Sequence, residues 1–334
     1  MILIDALYIN NSGGKILLDY LIDSLEFQNC EITYLLDYRI KGNHSIIKES
    51  NKVVYLEGNL KKRHGFYKSN KNRFTKVFCF GNLPPSIKLN ATVYTYFHQK
   101  IFLEIPKQLP FKKKLVFKLK SIIFKLLKAK TNFWIVQTEV MKSGLQKSGI
   151  ASNKILILPF YPSLVSNRAK VKVKNTFLYV SSGALHKNHL NLIIAFKEYY
   201  DEFKVGELHV TIGHEFSELL NLILNLIVMG YPIINHGTVS REKLAKLYNF
   251  STFVIYPSLS ESFGLGLLEG LENNCKIVGS NLPYTFAVCH PSLVFDPNDI
   301  ASIKKSFAIA VNENIEDSEQ LVFNEIDKII QLLK

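Results

Sequence analysis

Glu261 and Glu269 stand eight residues apart in Y-P-S-L-S-E-S-F-G-L-G-L-L-E-G, Tyr256 to Gly270, a stretch that holds no other charge. The neighbours Phe263, Leu265, Leu267, Leu268 and Leu271 argue against two solvated surface glutamates. Phe253 to Tyr256 reads as a strand, Pro257 to Ser260 as a loop, and an apolar helix opens near Phe263 and Gly264. The first backbone N–H groups of such a helix have no partner within it and sit at the positive end of its dipole, where a phosphate or sugar hydroxyl is stabilised. Eight helical steps are about 800°, which predicts Glu269 within about 80° of Glu261 and both carboxylates along one side of a cleft.

The second chemical feature is a run of lysine. No acidic residue occurs between Ile105 and Thr138, while Lys107, Lys112, Lys113, Lys114, Lys118, Lys120, Lys125, Lys128 and Lys130 do. Leu115, Leu119, Ile122, Ile123, Leu126 and Leu127 recur at helical spacing, with Phe117 and Phe124 on the flank, which predicts a basic amphipathic helix suited to an anionic membrane surface. The charge of the whole chain follows this bias. Met1 to Ser163 carries 26 Lys and Arg against 10 Asp and Glu, net +16, and the remainder is net −3. Such asymmetry suits a polyanion at the N-terminal half; no nucleic-acid motif accompanies it, and nucleic acid is not an expected partner.

The elements that must position these groups alternate. Met1 to Ile9 reads as a buried strand, Asn10 to Gly14 as a tight loop, and Lys15 to Phe27 as a helix with Ile16, Leu17, Tyr20, Leu21 and Leu25 on one face. Strands follow at Glu31 to Asp37, Val53 to Glu57, Lys76 to Phe80, Thr92 to Phe97 and Phe133 to Gln137. A helix at Thr138 to Gly149 and the run Lys154 to Phe160 close the first half. Ser163 to Lys174 reads as a linker. The second half alternates likewise, from a strand at Thr176 to Ser181 to helices at about Asp299 to Val311 and Glu316 to Leu333. At 334 residues the chain exceeds one core of ordinary size. The predicted class is α/β with two Rossmann-like doubly wound domains facing each other across a cleft: 1–163, 164–315, and a final helix in 316–334 that packs back on the first. Cys30, Cys79, Cys275 and Cys289 show no C-x-x-C spacing and read as buried reduced thiols of a cytosolic protein. Asp5 interrupts what would be a signal-peptide core, and no run is apolar enough to span a membrane.

The stretch Tyr256 to Gly270, with its E-x7-E pair, resembles the donor-site signature of retaining glycosyltransferases of family 4, which have the GT-B fold. F-L-Y-V-S-S-G-A-L-H-K-N-H (Phe177 to His189), G-T-V-S-R-E-K-L-A-K-L-Y (Gly237 to Tyr248), S-N-L-P-Y (Ser280 to Tyr284) and F-D-P-N-D (Phe295 to Asp299) are similar to other segments of that family in order. N-S-G-G (Asn11 to Gly14), F-H-Q (Phe97 to Gln99) and V-Q-T-E-V-M-K-S-G-L (Val136 to Leu145) agree in the first half. The resemblance implies a nucleoside-diphosphate sugar as donor and a saccharide, lipid-linked in surface polysaccharide synthesis, as acceptor. It implies Glu261 and His98 as catalytic residues beside the donor sugar; Gly14, Lys187, Gly264 and Leu265 at the diphosphate; and Phe263 and Glu269 at the sugar and ribose. It implies no cofactor and no metal, in keeping with the absence of any D-x-D sequence. Lys112, Lys113, Lys114, Lys118, Lys120, Lys125 and Lys128 would then hold the protein on the inner face of the cytoplasmic membrane. The family commonly has an arginine five residues before the lysine, where this chain has Ser182. That departure leaves open a catalytically silent partner in an assembly complex, and the fold leaves open an epimerase or a phosphorylase.

Overall fold

The computed structural model describes residues 1–104, 111–164 and 172–334, the side chains of Ser12 and Lys113 apart. Lys107 and most of the expected linker lie outside the described residues. The chain forms two compact units, Met1–Pro162 with Phe323–Lys334, and Ser163–Val322.

The first unit runs β1 (Ile2–Ala6), α1 (Ser12–Glu26), β2 (Ile32–Asp37), β3 (Lys52–Leu56), α2 (Leu60–Ser69), β4 (Lys76–Cys79), β5 (Thr92–Tyr96), α3 (Phe111–Leu127), β6 (Phe133–Val136), α4 (Glu139–Lys147) and β7 (Ile155–Ile157). Its seven strands are parallel in the order β3-β2-β1-β4-β5-β6-β7. Every residue of β1 and β2 is buried, as helix-covered parallel strands require, which is why they read as largely apolar runs. Asp5, one of the buried polar residues in these two strands beside Thr33 and Asp37, pairs in the interior with Arg63 of α2 at 2.7 Å. Arg63 also donates to the carbonyls of Leu83 and Pro84 at 2.8 and 2.9 Å, so one buried guanidinium fixes the chain beyond β4.

In the second unit come β8 (Val173–Tyr179), α5 (His189–Phe203), β9 (Glu207–Val210), α6 (Ser217–Val228), β10 (Ile233–Asn235), α7 (Arg241–Phe250), β11 (Ser251–Tyr256), α8 (Leu265–Glu272), β12 (Lys276–Ser280), α9 (Pro283–Phe286), β13 (Cys289–His290), β14 (Leu293–Phe295), α10 (Ile300–Asn312) and β15 (Glu319–Gln320). Six of the strands form a parallel sheet, β10-β9-β8-β11-β12-β14. Phe177 of β8 lies edge-on to Phe307 of α10 at 4.7 Å, and Phe307 meets Phe196 and Tyr199 of α5, so α5 and α10 share one aromatic core. The chain order reverses between β1 and β4 in one sheet and between β8 and β11 in the other. The crevice beyond the carboxyl ends of such strands is where doubly wound sheets bind ligands.

Four local expectations are corrected. The helix α1 begins at Ser12, so Gly13 and Gly14 lie in its first turn and not in a loop. Its most buried residues are Leu17, Leu18, Leu21, Ile22 and Leu25; Ile16 and Tyr20 are half-buried. Cys30, in the turn between α1 and β2, is only half-buried, unlike the other three free thiols. The expected helix over Glu316 to Leu333 is helical only in α11 (Ile326–Leu333). Before it, Ser318 Oγ accepts the backbone N–H of Ile277 at 2.8 Å, and β15 pairs antiparallel with β13, so tertiary hydrogen bonds override the helical pattern. The helix α11 packs on α1 and β4 of the first unit.

Candidate active site

In the second unit the loop leaving β11 is held in one shape before it reaches α8. Gly264 stands at the N-cap of α8 with φ 81°, a left-handed conformation that a side chain would strain. Gly270 lets α8 approach β11: a Cβ there would lie 2.8 Å from Val254 Cγ2. The Ser258 carbonyl accepts from Tyr284 Oη at 2.7 Å, and the backbone N–H of Leu259 donates to the His186 carbonyl at 2.8 Å.

Glu261 and Lys187 meet here. The Lys187 ammonium donates to Glu261 Oε1 at 2.6 Å; Ser258 Oγ donates to the same oxygen at 2.6 Å and Tyr256 Oη at 3.3 Å. Both side chains keep some contact with solvent, 18% for the lysine and 11% for the glutamate. Lys187 closes a single 3-10 turn after β8, and its carbonyl accepts from the buried Tyr179 Oη at 2.8 Å. Asn188, at the N-cap position of α5, makes no side-chain capping bond. It adopts φ 60° and donates to the carbonyls of Pro257 and Pro297 at 3.2 and 2.7 Å, tying the β8 turn to the β11 loop.

The helical-step relation between the two glutamates does not hold, because Glu261 lies in the loop, four residues before the first residue of α8. Glu269 is a helical residue, 3% exposed, whose oxygens accept from Arg241 Nη1 at 3.1 Å and Tyr248 Oη at 3.1 Å. Burial pushes its carboxyl up, against the lowering pull of Arg241 and Tyr248. The two carboxylates thus have separate partner sets: Glu261 faces the end of β8, and Glu269 packs against α7. Phe263 is buried, and Gly264 and Leu265 form the entrance of α8. Ser182, in the place of the expected arginine, contributes its carbonyl to His189 Nε2 at 3.0 Å. Burial pushes the His189 ring down to about 4, which keeps it neutral and makes it a poor substitute for the missing positive charge.

In the first unit, the opening turn of α1 carries Gly14. A Cβ at Gly14 would lie 3.8 Å from His98 Nε2, so the sequence-predicted glycine and histidine are neighbours. Asn11 at the N-cap makes no side-chain bond to the turn, and no acidic residue stands in it. Lys15 is ion-paired with Asp19. His98 follows β5, packs against the rings of Phe80 and Tyr96, and is held neutral by burial, which pushes it down to about 4.

The basic helix α3 turns part of its apolar stripe outward. Phe124 and Leu127 are buried, whereas Phe111, Leu115, Leu119, Ile122 and Leu126 are each more than half exposed and follow one another at spacings of four, four, three and four residues. Lys112, Lys118, Lys120 and Lys125 are exposed and Lys114 is half-buried. Lys128 lies beyond α3 and donates to the Ser148 carbonyl at 2.8 Å, so it is structurally engaged. Sequence reasoning missed Tyr256, Ser258, Arg241 and Tyr248 as partners of the glutamates; Ser258, three residues before Glu261 in a loop, was the one readable signal. It also missed Asn82, whose side chain accepts the His98 backbone N–H at 2.7 Å.

Among the described residues no group of three or more His, Cys, Asp or Glu side chains is arranged to hold a metal ion, and no helix is long and apolar enough to cross a membrane. Residues 164–326 match the family described as Glycosyl transferases group 1. With the two parallel α/β sheets, this match supports a glycosyltransferase of the GT-B type. Sucrose-phosphate synthase from Thermosynechococcus elongatus is similar in structure at a TM-score of 0.72 and 14% identity, over 93% of this chain and 90% of that one. The lipopolysaccharide outer core galactosyltransferase WaaB is similar at 0.63 and 14%, over 99% and 94%. HepE of Anabaena, in complex with UDP and glucose, is similar at 0.65 and 10%, over 93% and 89%. No curated protein sequence matches the chain.

Proposed function

We propose that the protein is a retaining, metal-independent glycosyltransferase of the family 4 type, which moves a sugar from a nucleoside-diphosphate donor to a lipid-linked saccharide in surface polysaccharide synthesis. The observation that carries this reading is the Lys187–Glu261 pair at the carboxyl ends of β8 and β11, beside the entrance of α8. Breaking a sugar–phosphate bond leaves growing negative charge on the diphosphate, and an ammonium together with helix-entrance amides is the set of groups that stabilises it. In this reading Lys187 turns from Glu261 to the diphosphate when donor binds, and the freed carboxylate accepts from donor sugar hydroxyls. Gly264, Leu265 and Phe263 border the same donor. Glu269, held by Arg241 and Tyr248, reads the ribose hydroxyls. In the first unit Gly14 and His98 serve the same reaction. HepE with UDP and glucose supports the donor class, and WaaB supports the polysaccharide setting.

The exposed stripe of α3 supports docking on an anionic membrane, with the apolar side chains at the acyl boundary and the flanking lysines on the headgroups. Each engaged lysine contributes roughly 1 kcal/mol before screening, so four or five give reversible binding. The inner face of the cytoplasmic membrane is where a lipid-linked acceptor and a cytosolic nucleotide sugar meet.

Incubation with UDP-, GDP-, ADP- and CMP-sugars in the presence of a chelator, followed by proton NMR of the released or transferred sugar, tests the reading. One donor class should be consumed, and the first-formed product should keep the donor's anomeric configuration. Inverted product contradicts retention; consumption abolished by chelator contradicts metal independence. No consumption of any donor, with or without the membrane fraction as acceptor, would favour the silent-partner reading that Ser182 leaves open.

A further inference from the structure

Asn82 follows β4 in the left-handed region, φ 66°, and is 1% exposed. Its side chain reaches the end of the neighbouring strand β5, where Oδ1 accepts the backbone N–H of His98 at 2.7 Å. A backbone N–H can only donate, so this bond settles which end of the amide is oxygen. The other end, the Nδ2 donor, lies 3.4 Å from His98 Nε2. A donor facing Nε2 requires that nitrogen to offer its lone pair, and the single proton of the neutral ring must then sit on Nδ1. A doubly protonated ring would set N–H against N–H. The rings of Phe80 and Tyr96, 5.3 and 5.6 Å away, pack against the imidazole, and Nδ1 is buried with no hydrogen-bond partner among the described residues. Arg63, through the carbonyls of Leu83 and Pro84, keeps the Asn82 loop from moving away.

We propose that Asn82 is a positioning residue that holds His98 in the neutral Nδ1–H tautomer, so that the Nε2 lone pair is taken by the Asn82 amide and the ring is not a proton carrier. The role of His98 rests on the transferase reading; the tautomer does not. Burial acts in the same direction, since it pushes the ring down to about 4.

Long-range proton–nitrogen NMR of histidine-labelled full-length protein reads the tautomer directly, with His98 assigned by its loss in His98→Gln. The wild type should show a protonated Nδ1 and a bare Nε2 across about pH 5 to 8. Asn82→Asp replaces the donor by an acceptor, so the proton should move to Nε2 and the ring should titrate at higher pH. With a consumed donor, Asn82→Asp should lower kcat by about tenfold or more, leave the donor KM within about threefold, and add a limb to the kcat–pH profile between about 5 and 8. A wild-type ring protonated on Nε2 overturns the proposal, as does an unchanged tautomer in a folded Asn82→Asp. An unchanged kcat with a moved proton overturns the role given to His98. If Asn82→Asp does not fold, the wild-type spectrum decides alone, and it needs no substrate, so failure of the transferase reading is seen separately.

Discussion

At the scale of single residues, Lys187 stands between two partners. It is bonded to Glu261, and a diphosphate would compete for the same ammonium. Lys187→Ala should lower turnover by about 100-fold or more while leaving the thermal midpoint within a few degrees, because the pair is partly open to solvent; steady-state rates and a melting curve check both. Arg63 and Asp5 present the opposite case, a pair 3% and 1% exposed. Arg63→Ala leaves a buried carboxylate without its cation and should cost about 3–5 kcal/mol in denaturant unfolding. The buried histidines set a pH dependence. His189 is pushed down to about 4 by burial, so the unfolded chain binds its proton first as pH falls. Its contribution to stability is complete above about pH 6.5 and is lost progressively toward pH 4, reaching roughly 3 kcal/mol, while the raised Glu269 acts in the opposite sense. His189→Gln should flatten the fall of the melting temperature between those pH values. Little of this was legible in the sequence. Glu261, Glu269 and Lys187 announced themselves by standing in uncharged or strand-end text, whereas Arg63 sits in K-K-R-H and reads as one more surface cation, although Asp5 in a buried strand called for a partner.

At the scale of elements, strand positions were readable because parallel strands covered on both faces are largely apolar runs, as Ile2–Ile4 of β1 and Phe253–Tyr256 of β11 are. Helix starts were readable less often. Asn188 occupies an N-cap position, yet its amide serves two carbonyls of other loops, and Gly13 and Gly14 are helical where a glycine pair suggests a turn. For α3 an apolar stripe suited to a membrane surface was legible, but which of its residues the core takes was not. Periodicity shows that a helix has an apolar stripe; it does not show whether that stripe meets a core or solvent, and here Phe124 and Leu127 take the core while Leu119 and Ile122 remain outside. Leu119→Asp together with Ile122→Asp should abolish sedimentation with vesicles containing anionic lipid, and leave donor turnover unchanged. Retained sedimentation would remove α3 from the membrane reading. Packing at α8 offers a stability check: Gly270→Ala places a methyl 2.8 Å from Val254 and should cost about 1–3 kcal/mol.

At the scale of the whole molecule, the chain is two parallel α/β units with the final helix returned to the first, and both sheets carry their candidate groups at strand ends beside the reversal of chain order. That architecture was legible from alternation and length. The return of the final helix was expected from the sequence, but its start at Ile326 was not, since Ser318 and β15 hold the preceding segment in a way that no local pattern records. In the proposed function the second unit binds a nucleoside-diphosphate sugar through Lys187. Calorimetric titration of the full chain with the four nucleotide-sugar classes, in wild type and Lys187→Ala, tests it most directly. Saturable binding of one class that weakens at least about tenfold in Lys187→Ala, with the uncharged nucleoside bound equally by both, is the result expected. Equal affinity of the diphosphate donor for the two proteins, or no binding of any class to the wild type, would contradict it.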